Sequence, residues 1–201
     1  MLVKKCFMLS NLLKDKNIIL GSKSPRRKEL LAGLDITFET RTKDVDESYD
    51  DSIPKLKIAE FLAQKKADAF TDELKDKDIV ITSDTIVLCN NEVLGKPKNK
   101  IFAFDMLSKL SGQSHQVITG VCIKSKNKTI VFSDITKVWF KELSCNEMNY
   151  YIKNYKPFDK AGSYGIQEWI GYIGITKTEG TYFNVMGLPV DKVYKALHDF
   201  V

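Results

Sequence analysis

The run Ile79-Val80-Ile81-Thr82-Ser83-Asp84-Thr85-Ile86-Val87-Leu88-Cys89 constrains this chain more than any other stretch. It is almost continuously apolar and rich in β-branched residues, which describes a central strand buried on both faces and therefore covered by helices on both sides. One carboxylate interrupts the run. A lone carboxylate is costly in such a strand, so Asp84 needs a metal ion or cationic side chains, and acids held in that way are enriched at functional sites. A structural ion pair is the competing reading.

Asn90-Asn91 follows the run as a two-residue hairpin turn, both residues tolerating positive φ. If Cys89 pairs with Glu92, the register places Lys96 across from Thr85, one step from Asp84. Gly95 then permits a close backbone approach, and Pro97 ends the ladder.

A second constellation lies upstream. Asn17 to Leu20 is a short strand that runs into Gly21-Ser22-Lys23-Ser24-Pro25-Arg26-Arg27, where Ser24 and Pro25 take the N-cap and first positions of a helix. The free N–H groups and positive dipole end of such a helix attract anions. Arg26 and Arg27 in its first turn oppose the usual acidic preference there, so the stretch reads either as a polyphosphate seat or as a capped surface helix. The acidic loop Asp44-Val45-Asp46-Glu47 is a solvated turn unless it lies near that seat, in which case Glu47 is a candidate ligand for a hard divalent cation. From Ser52 to about Phe70 the apolar residues form a helical arc, and Lys66 projects near its middle. That lysine either snorkels or reaches into a phosphate pocket.

The remaining pattern supplies the frame. Ile36 to Thr40 reads as a short strand, Ile101 to Leu110 as a helix stopped by Gly112, and Gln116 to Ile123 with Thr129 to Phe140 as an antiparallel pair. His115, in a polar turn, reads as a hydrogen-bonded surface group. Ser144-Cys145-Asn146-Glu147 is a capping box, and a last helix follows Pro189. The loop from Tyr155 to Gln167 mixes glycine, aromatics and polar groups, as a base-binding rim or an ordered surface loop would. No repeat or linker divides the chain, so a single unit is expected. Residues 1–16 form a basic extension too short for a membrane span and without a secretory cleavage site. An organelle-targeting leader and a loosely attached helix both stay open for it. The net charge of +5 is spread along the chain and suits an acidic small molecule as well as nucleic acid, but the clustered basic and stacking residues that RNA binding needs are not found, and four separated cysteines point to neither zinc nor disulfides.

Several motifs occur in one order: Ser22-Lys23-Ser24-Pro25-Arg26-Arg27, Asp46-Glu47, Lys66-Ala67, Ser83-Asp84-Thr85, Gly95-Lys96-Pro97, Thr119-Gly120-Val121, the loop Asp159 to Gln167, and Asn184-Val185-Met186-Gly187-Leu188-Pro189. In these the chain resembles the Maf family of nucleoside triphosphate pyrophosphatases, from about Asn17 to its last helix. The resemblance implies an α/β fold with a mixed, twisted sheet and flanking helices, two lobes around a cleft, similar to inosine triphosphate pyrophosphatases. It implies residues 17–201 as the family domain, a homodimer, and cleavage of a nucleoside triphosphate to the monophosphate and pyrophosphate with a divalent Mg or Mn ion. Arg26, Thr85 and Gln167 match the dTTP/UTP branch. One departure is the segment 169–182, which lacks the family's glycine-serine before the Asn184-Val185-Met186 motif.

Residues and resemblance together give a mechanism. Glu47 and Asp84 hold the cation, and Asp84 also orients and deprotonates the attacking water. Arg27, Lys66 and Lys96 neutralise the phosphates, while Ser22 and Ser24 shape the cradle. The expected partners are the triphosphate and a second copy of the chain, with no nucleic acid or membrane, in the cytoplasm unless the extension directs the protein to an organelle. The rival reading is a non-catalytic nucleotide-binding regulator of cell division, whose mark would be loss of Asp84 or Glu47. Both are present.

Overall fold

The apolar run is the spine of a seven-stranded mixed sheet. The computed structural model describes residues 8–200. Its elements in chain order are α1 Leu9–Leu12, β1 Asn17–Leu20, α2 Pro25–Ala32, β2 Glu39–Thr40, α3 Ile58–Asp68, β3 Asp78–Cys89, β4 Glu92–Leu94, α4 Lys100–Leu110, β5 Ser114–Lys124, β6 Thr129–Phe140, α5 Cys145–Tyr155, α6 Trp169–Gly174, β7 Ile175–Glu179, α7 Tyr182–Met186 and α8 Val190–Phe200. The strands lie in the order β2-β1-β3-β5-β6-β7, with β4 paired to the far end of β3.

How β3 is paired decides where a site can form. One edge is covered by antiparallel β5 from Val80↔Lys124 to Leu88↔Gln116. The other edge is shared: β1 lies parallel to it as far as Leu20↔Ile81, and β4 lies antiparallel from Val87↔Leu94 to Cys89↔Glu92. Between those two partners no strand among the described residues pairs that edge. Ser83, Asp84 and Thr85 sit in the gap.

The alternation of side chains along β3 sorts its two faces. On one face Ile79 and Ile81 join a core with β1, α2 and α8, while Val87 and Cys89 join a second core with α4 and α5. On the other face Val80 and Ile86 pack beneath α3 with Ala63, Ala67, Ala59 and Leu62. Helix α3 comes unusually close because Gly120, opposite Asp84, has no side chain. A Cβ there would lie 2.2 Å from the Ala59 carbonyl carbon and oxygen and 2.4 Å from the Glu60 nitrogen. The Thr82 hydroxyl fastens the same contact by donating to the Ala63 carbonyl at 2.6 Å.

Several sequence expectations change. The strand foreseen at Ile36 to Thr40 shrinks to the two residues of β2. The helix foreseen from Ser52 begins as a 3-10 turn at Lys55–Lys57 behind Pro54, and only Ile58 to Asp68 is α-helical. The asparagine turn forms as read, with φ of 47° and 63°, and Cys89 does pair with Glu92. The ladder nevertheless stops at Leu94, so Lys96 has no cross-strand position beside Thr85. The Gly95 carbonyl instead accepts from the Gly162 amide at 3.1 Å, which draws that segment toward the loop after α5. The loosely attached helix is not found from residue 8 onward: Leu9 and Leu13 are buried in the first core. Residues 1–7 of the extension lie outside the described part.

His115 is not a surface group. It lies in β5, 2% exposed, with its ring edge-on to Phe140 and Tyr164 and its Nε2 at 2.7 Å from the Tyr164 hydroxyl. Burial holds its pKa down, from 6.5 to about 4.

Two predictions follow from this packing. Gly120→Ala drives a methyl into the α3 backbone and costs about 3 kcal/mol, read as a drop of roughly 10 °C in the thermal unfolding midpoint. His115 is neutral in the fold and charged in the unfolded chain between about pH 4 and 6.5, so its contribution to stability is lost as pH falls through that window. The loss is roughly 3 kcal/mol. Denaturant titrations at stepped pH should show a shallower slope across the window in His115→Gln.

Candidate active site

A cleft of about 470 Å³ opens at the gap in β3, and Ser22, Ser24, Arg26, Arg27, Glu47, Lys66, Asp84, Thr85, Lys96 and Gln167 all line it. Residues far apart in the chain are thus gathered at one place. Each arrives for a local reason.

The loop Gly21 to Ser24 leaves β1 at its carboxyl end. Ser24 caps α2 with its hydroxyl accepting from the Arg27 amide at 3.5 Å, and Pro25 takes the first helical position, as read from the sequence. Ser22 is buried, and its hydroxyl accepts the Ser24 amide at 3.2 Å. That amide is therefore engaged within the loop rather than kept for an anion.

Lys66 reaches from α3 to the carboxylates. Its ammonium contacts Asp84 Oδ1 and lies 2.8 Å from Glu47 Oε1. The position at the middle of the apolar arc is thus explained by a counter-charge, not by snorkelling. Lys96 stands on the outer side of Glu47, its Nζ 3.5 Å from Oε2. Half-burial of Glu47 works against its charge, but the hydrogen bond and charge of Lys66, with Lys96 behind, outweigh it and hold the carboxyl below its ordinary pKa.

Arg27 is drawn inward. Its Nε donates to the Gly187 carbonyl at 2.9 Å and its Nη2 to the Thr85 hydroxyl at 3.1 Å. Burial lowers its pKa, with the charge of Asp84 acting in the opposite direction. Arg26 behaves differently. Its Nη1 pairs with Asp159 Oδ2 at 2.9 Å, so neither an anion nor open water is what meets its charge.

The loop after α5 was legible as unusual, yet its internal charges were not assigned. Lys160, buried at 8% exposure, lies 2.8 Å from Asp159 Oδ1 and 3.0 Å from Glu168 Oε1. Glu168 in turn accepts from the Tyr151 hydroxyl, and that oxygen accepts the Gly165 amide at 3.0 Å. This network fixes the loop that carries Gln167, whose Oε1 is buried with no partner among the described residues. Asn184, Thr119 and the Gly187 carbonyl were also missed as contributors. The signal available was the polar Thr119-Gly120 inside an otherwise apolar strand. The departure at 169–182 resolves simply: Thr181 caps α7 by accepting the Asn184 amide at 3.2 Å, which a serine would do equally.

The donor set fits a hard divalent ion. Oxygens of Glu47 and Asp84 converge on one ammonium, and no group of three or more His, Cys, Asp or Glu side chains that could hold a metal occurs among the described residues. Two carboxylates, with water and phosphate oxygens completing the shell, is how Mg²⁺ is ordinarily held beside a polyphosphate.

A family model described as Maf-like protein matches residues 17–200. The dTTP/UTP pyrophosphatase of Flavobacterium psychrophilum is 53% identical over 187 residues, covering 93% of this chain and 96% of that protein. The protein of the same name from Parabacteroides distasonis is 53% identical over 194 residues, covering 96% of this chain and 100% of its own length. Among solved structures, a HAM1 protein from Coxiella burnetii shares the fold at 13% identity, with a TM-score of 0.50 over 92% of this chain and 99% of that one.

The geometry makes Lys66 the main counter-charge of Glu47. Lys66→Met should therefore raise the Glu47 pKa, followed as the midpoint of its side-chain carboxyl shift in a carbon-detected NMR titration. The sign for stability is that of a depressed carboxylate: the pair contributes above the unfolded-state pKa and is lost as pH falls through the lower folded one. An unmoved midpoint would show that another group sets the charge of Glu47.

Proposed function

The chain belongs to the Maf-like family, and on that premise we propose that it hydrolyses dTTP and UTP to the nucleoside monophosphate and pyrophosphate. The observation that carries the catalytic part is the convergence of Asp84 and Glu47 on one point beside the N-terminus of α2 and the guanidinium of Arg27. Phosphoryl chemistry needs positioning and charge neutralisation more than covalent participation, and these groups supply both.

In this reading the triphosphate lies along the cleft with its anionic end toward the start of α2. Arg27, Lys66 and Lys96 neutralise its oxygens, increasingly so as negative charge gathers on the departing pyrophosphate. Asp84 accepts a proton from a water while the oxygen of that water bonds to phosphorus and the bridging P–O bond breaks. Glu47 and Asp84 would hold the divalent ion, which when bound supplies charge to the phosphates and acidity to water. The base lies toward the loop after α5. There Gln167 lines the cleft, and its side-chain amide, turned toward the base, would accept the ring N–H of uracil and thymine, a donor that cytosine lacks at the same position. Removal of surplus or modified pyrimidine triphosphates is the corresponding role.

The test is pyrophosphate release from dTTP, UTP, CTP, GTP and 7-methyl-GTP, with and without Mg²⁺ or Mn²⁺. Turnover should be metal-dependent and confined to dTTP and UTP, and Asp84→Asn should lower it at least about a hundredfold. Near-normal activity in the variant would remove Asp84 from the chemistry, and a preference for 7-methyl-GTP would overturn the substrate assignment.

A further inference from the structure

We propose that Lys65 is a positioning residue for Glu47: it grips the residues on either side of that carboxylate and so holds it toward the cleft. The proposal rests on the cation-binding role given to Glu47 above.

Glu47 stands on a weakly fastened segment. Between Thr40, where β2 ends, and the 3-10 turn that opens at Lys55 there is neither helix nor strand. Among the described residues, no backbone amide from 42 to 52 bonds to a group outside that strap. The ion pairs and hydrogen bonds that fasten it to the rest of the molecule each have a lysine at one end. Lys43 on the strap pairs with Glu73, Lys23 reaches Asp44 at 2.6 Å, and the others gather at Asp46, Glu47 and Ser48. Exposed pairs of this kind are individually weak. A carboxylate carried on such a strap is placed only as well as the turn beneath it is held.

That turn is closed across Glu47. Asp46 Oδ1 accepts the Ser48 amide at 3.0 Å and Oδ2 accepts the Ser48 hydroxyl, which leaves Glu47 at the apex. Two adjacent lysines of α3 meet the turn at different levels, because neighbours on a helix project about 100° apart. Lys66, the more buried, takes the apex through Glu47. Lys65, about a third exposed, takes the base: its Nζ donates to the Ser48 carbonyl at 3.0 Å and lies 3.5 Å from Asp46 Oδ2.

The two grips meet different fates in the proposed reaction. Lys66 and Lys96 line the cleft and turn to phosphate, and a cation on Glu47 displaces their ammonium groups from it. Lys65, Asp46 and Ser48 stand outside the cleft lining, so their contacts persist when substrate and ion arrive. The sign of the effect separates this role from mere charge. Removing a nearby positive charge by itself draws a cation more tightly, whereas losing the grip lowers the fraction of protein with Glu47 in place and weakens binding by that fraction.

The experiment measures the Mn²⁺ affinity of the nucleotide-free protein from the electron spin resonance signal of the free ion. It compares the wild type with Lys65→Met, Lys65→Arg, Glu47→Gln and the double variant Lys65→Met/Glu47→Gln. Lys65→Met should bind Mn²⁺ about fivefold more weakly, and Lys65→Arg, which keeps a charged donor within reach, should stay within about twofold of the wild type. Beside Glu47→Gln, Lys65→Met should add less than about twofold, because the group it places is gone. In dTTP turnover, Lys65→Met should need about fivefold more Mn²⁺ for half-maximal rate, with KM for dTTP at saturating Mn²⁺ within about twofold of the wild type. Unchanged or tighter Mn²⁺ binding in Lys65→Met overturns the proposal, as does a loss that persists undiminished beside Glu47→Gln. If Glu47→Gln itself leaves the Mn²⁺ affinity unmoved, the cation role of Glu47 falls and the positioning role falls with it. A wild type that binds Mn²⁺ but turns over no triphosphate counts against the proposed hydrolysis alone, and the affinities still decide the role of Lys65.

Discussion

A carboxylate in the middle of a strand that is buried on both faces has to be met by positive charge, and much of this molecule is arranged around that requirement. The meeting is made by Lys66, and Lys66 can reach Asp84 only because α3 lies almost on the backbone of β5. Gly120 permits the approach, Thr82 fastens it, and the alanines at 59, 63 and 67 keep the helix low. Ion pairs of this kind contribute little net stability, since desolvation offsets most of the attraction. A hydrophobic pair of the same volume would serve the fold at least as well. The polar arrangement is therefore better explained by what a carboxylate and an ammonium can do in a cleft than by what they add to the core.

The cleft is also nearly balanced before any ligand arrives. Arg26 is neutralised by Asp159, Lys160 by Asp159 and Glu168, and Lys66 by Asp84 and Glu47. Cations in such a site hold their positions through these partners rather than through mutual repulsion. A polyphosphate entering it would compete with protein carboxylates for the same donors. On the reading proposed above, a divalent ion held by Glu47 and Asp84 would replace the positive charge those carboxylates otherwise draw from Lys66.

Much of this was legible in the sequence. The central strand, the capped helix after Gly21, the asparagine hairpin and the capping box at Ser144 rest on local rules and were found within a residue or two. Asp84 and Lys66 were also singled out, because a charge in a buried strand or on an apolar face is visible as a break in pattern, while Arg27 stood out against the acidic preference of a helix's first turn and Glu47 by its acidic loop downstream of that helix. What failed depended on contacts that no local pattern records. Lys96 was placed by extending a ladder past Gly95, whereas the Gly162 amide captured that carbonyl from a distant loop. His115 looked polar in context, but its neighbours in space are Phe140 and Tyr164.

The four polar residues Thr82 to Thr85 show why the interruption in the apolar run is the floor of the cleft and not a defect in it. Each has a partner from another part of the chain: Thr82 from α3 through the Ala63 carbonyl, Ser83 from the end of α7 through the Gly187 carbonyl, Asp84 from α3 through Lys66, and Thr85 from α2 through Arg27. On the face of Ser83 and Thr85, these polar groups stand between the core that Ile79 and Ile81 join and the one that Val87 and Cys89 join. Polar groups there are tolerable only because every one is satisfied, and satisfying them draws three separate helices to a single strand segment. The same hydrogen bonds that make the gap affordable to the fold thus bring the charged side chains of those helices to face one another.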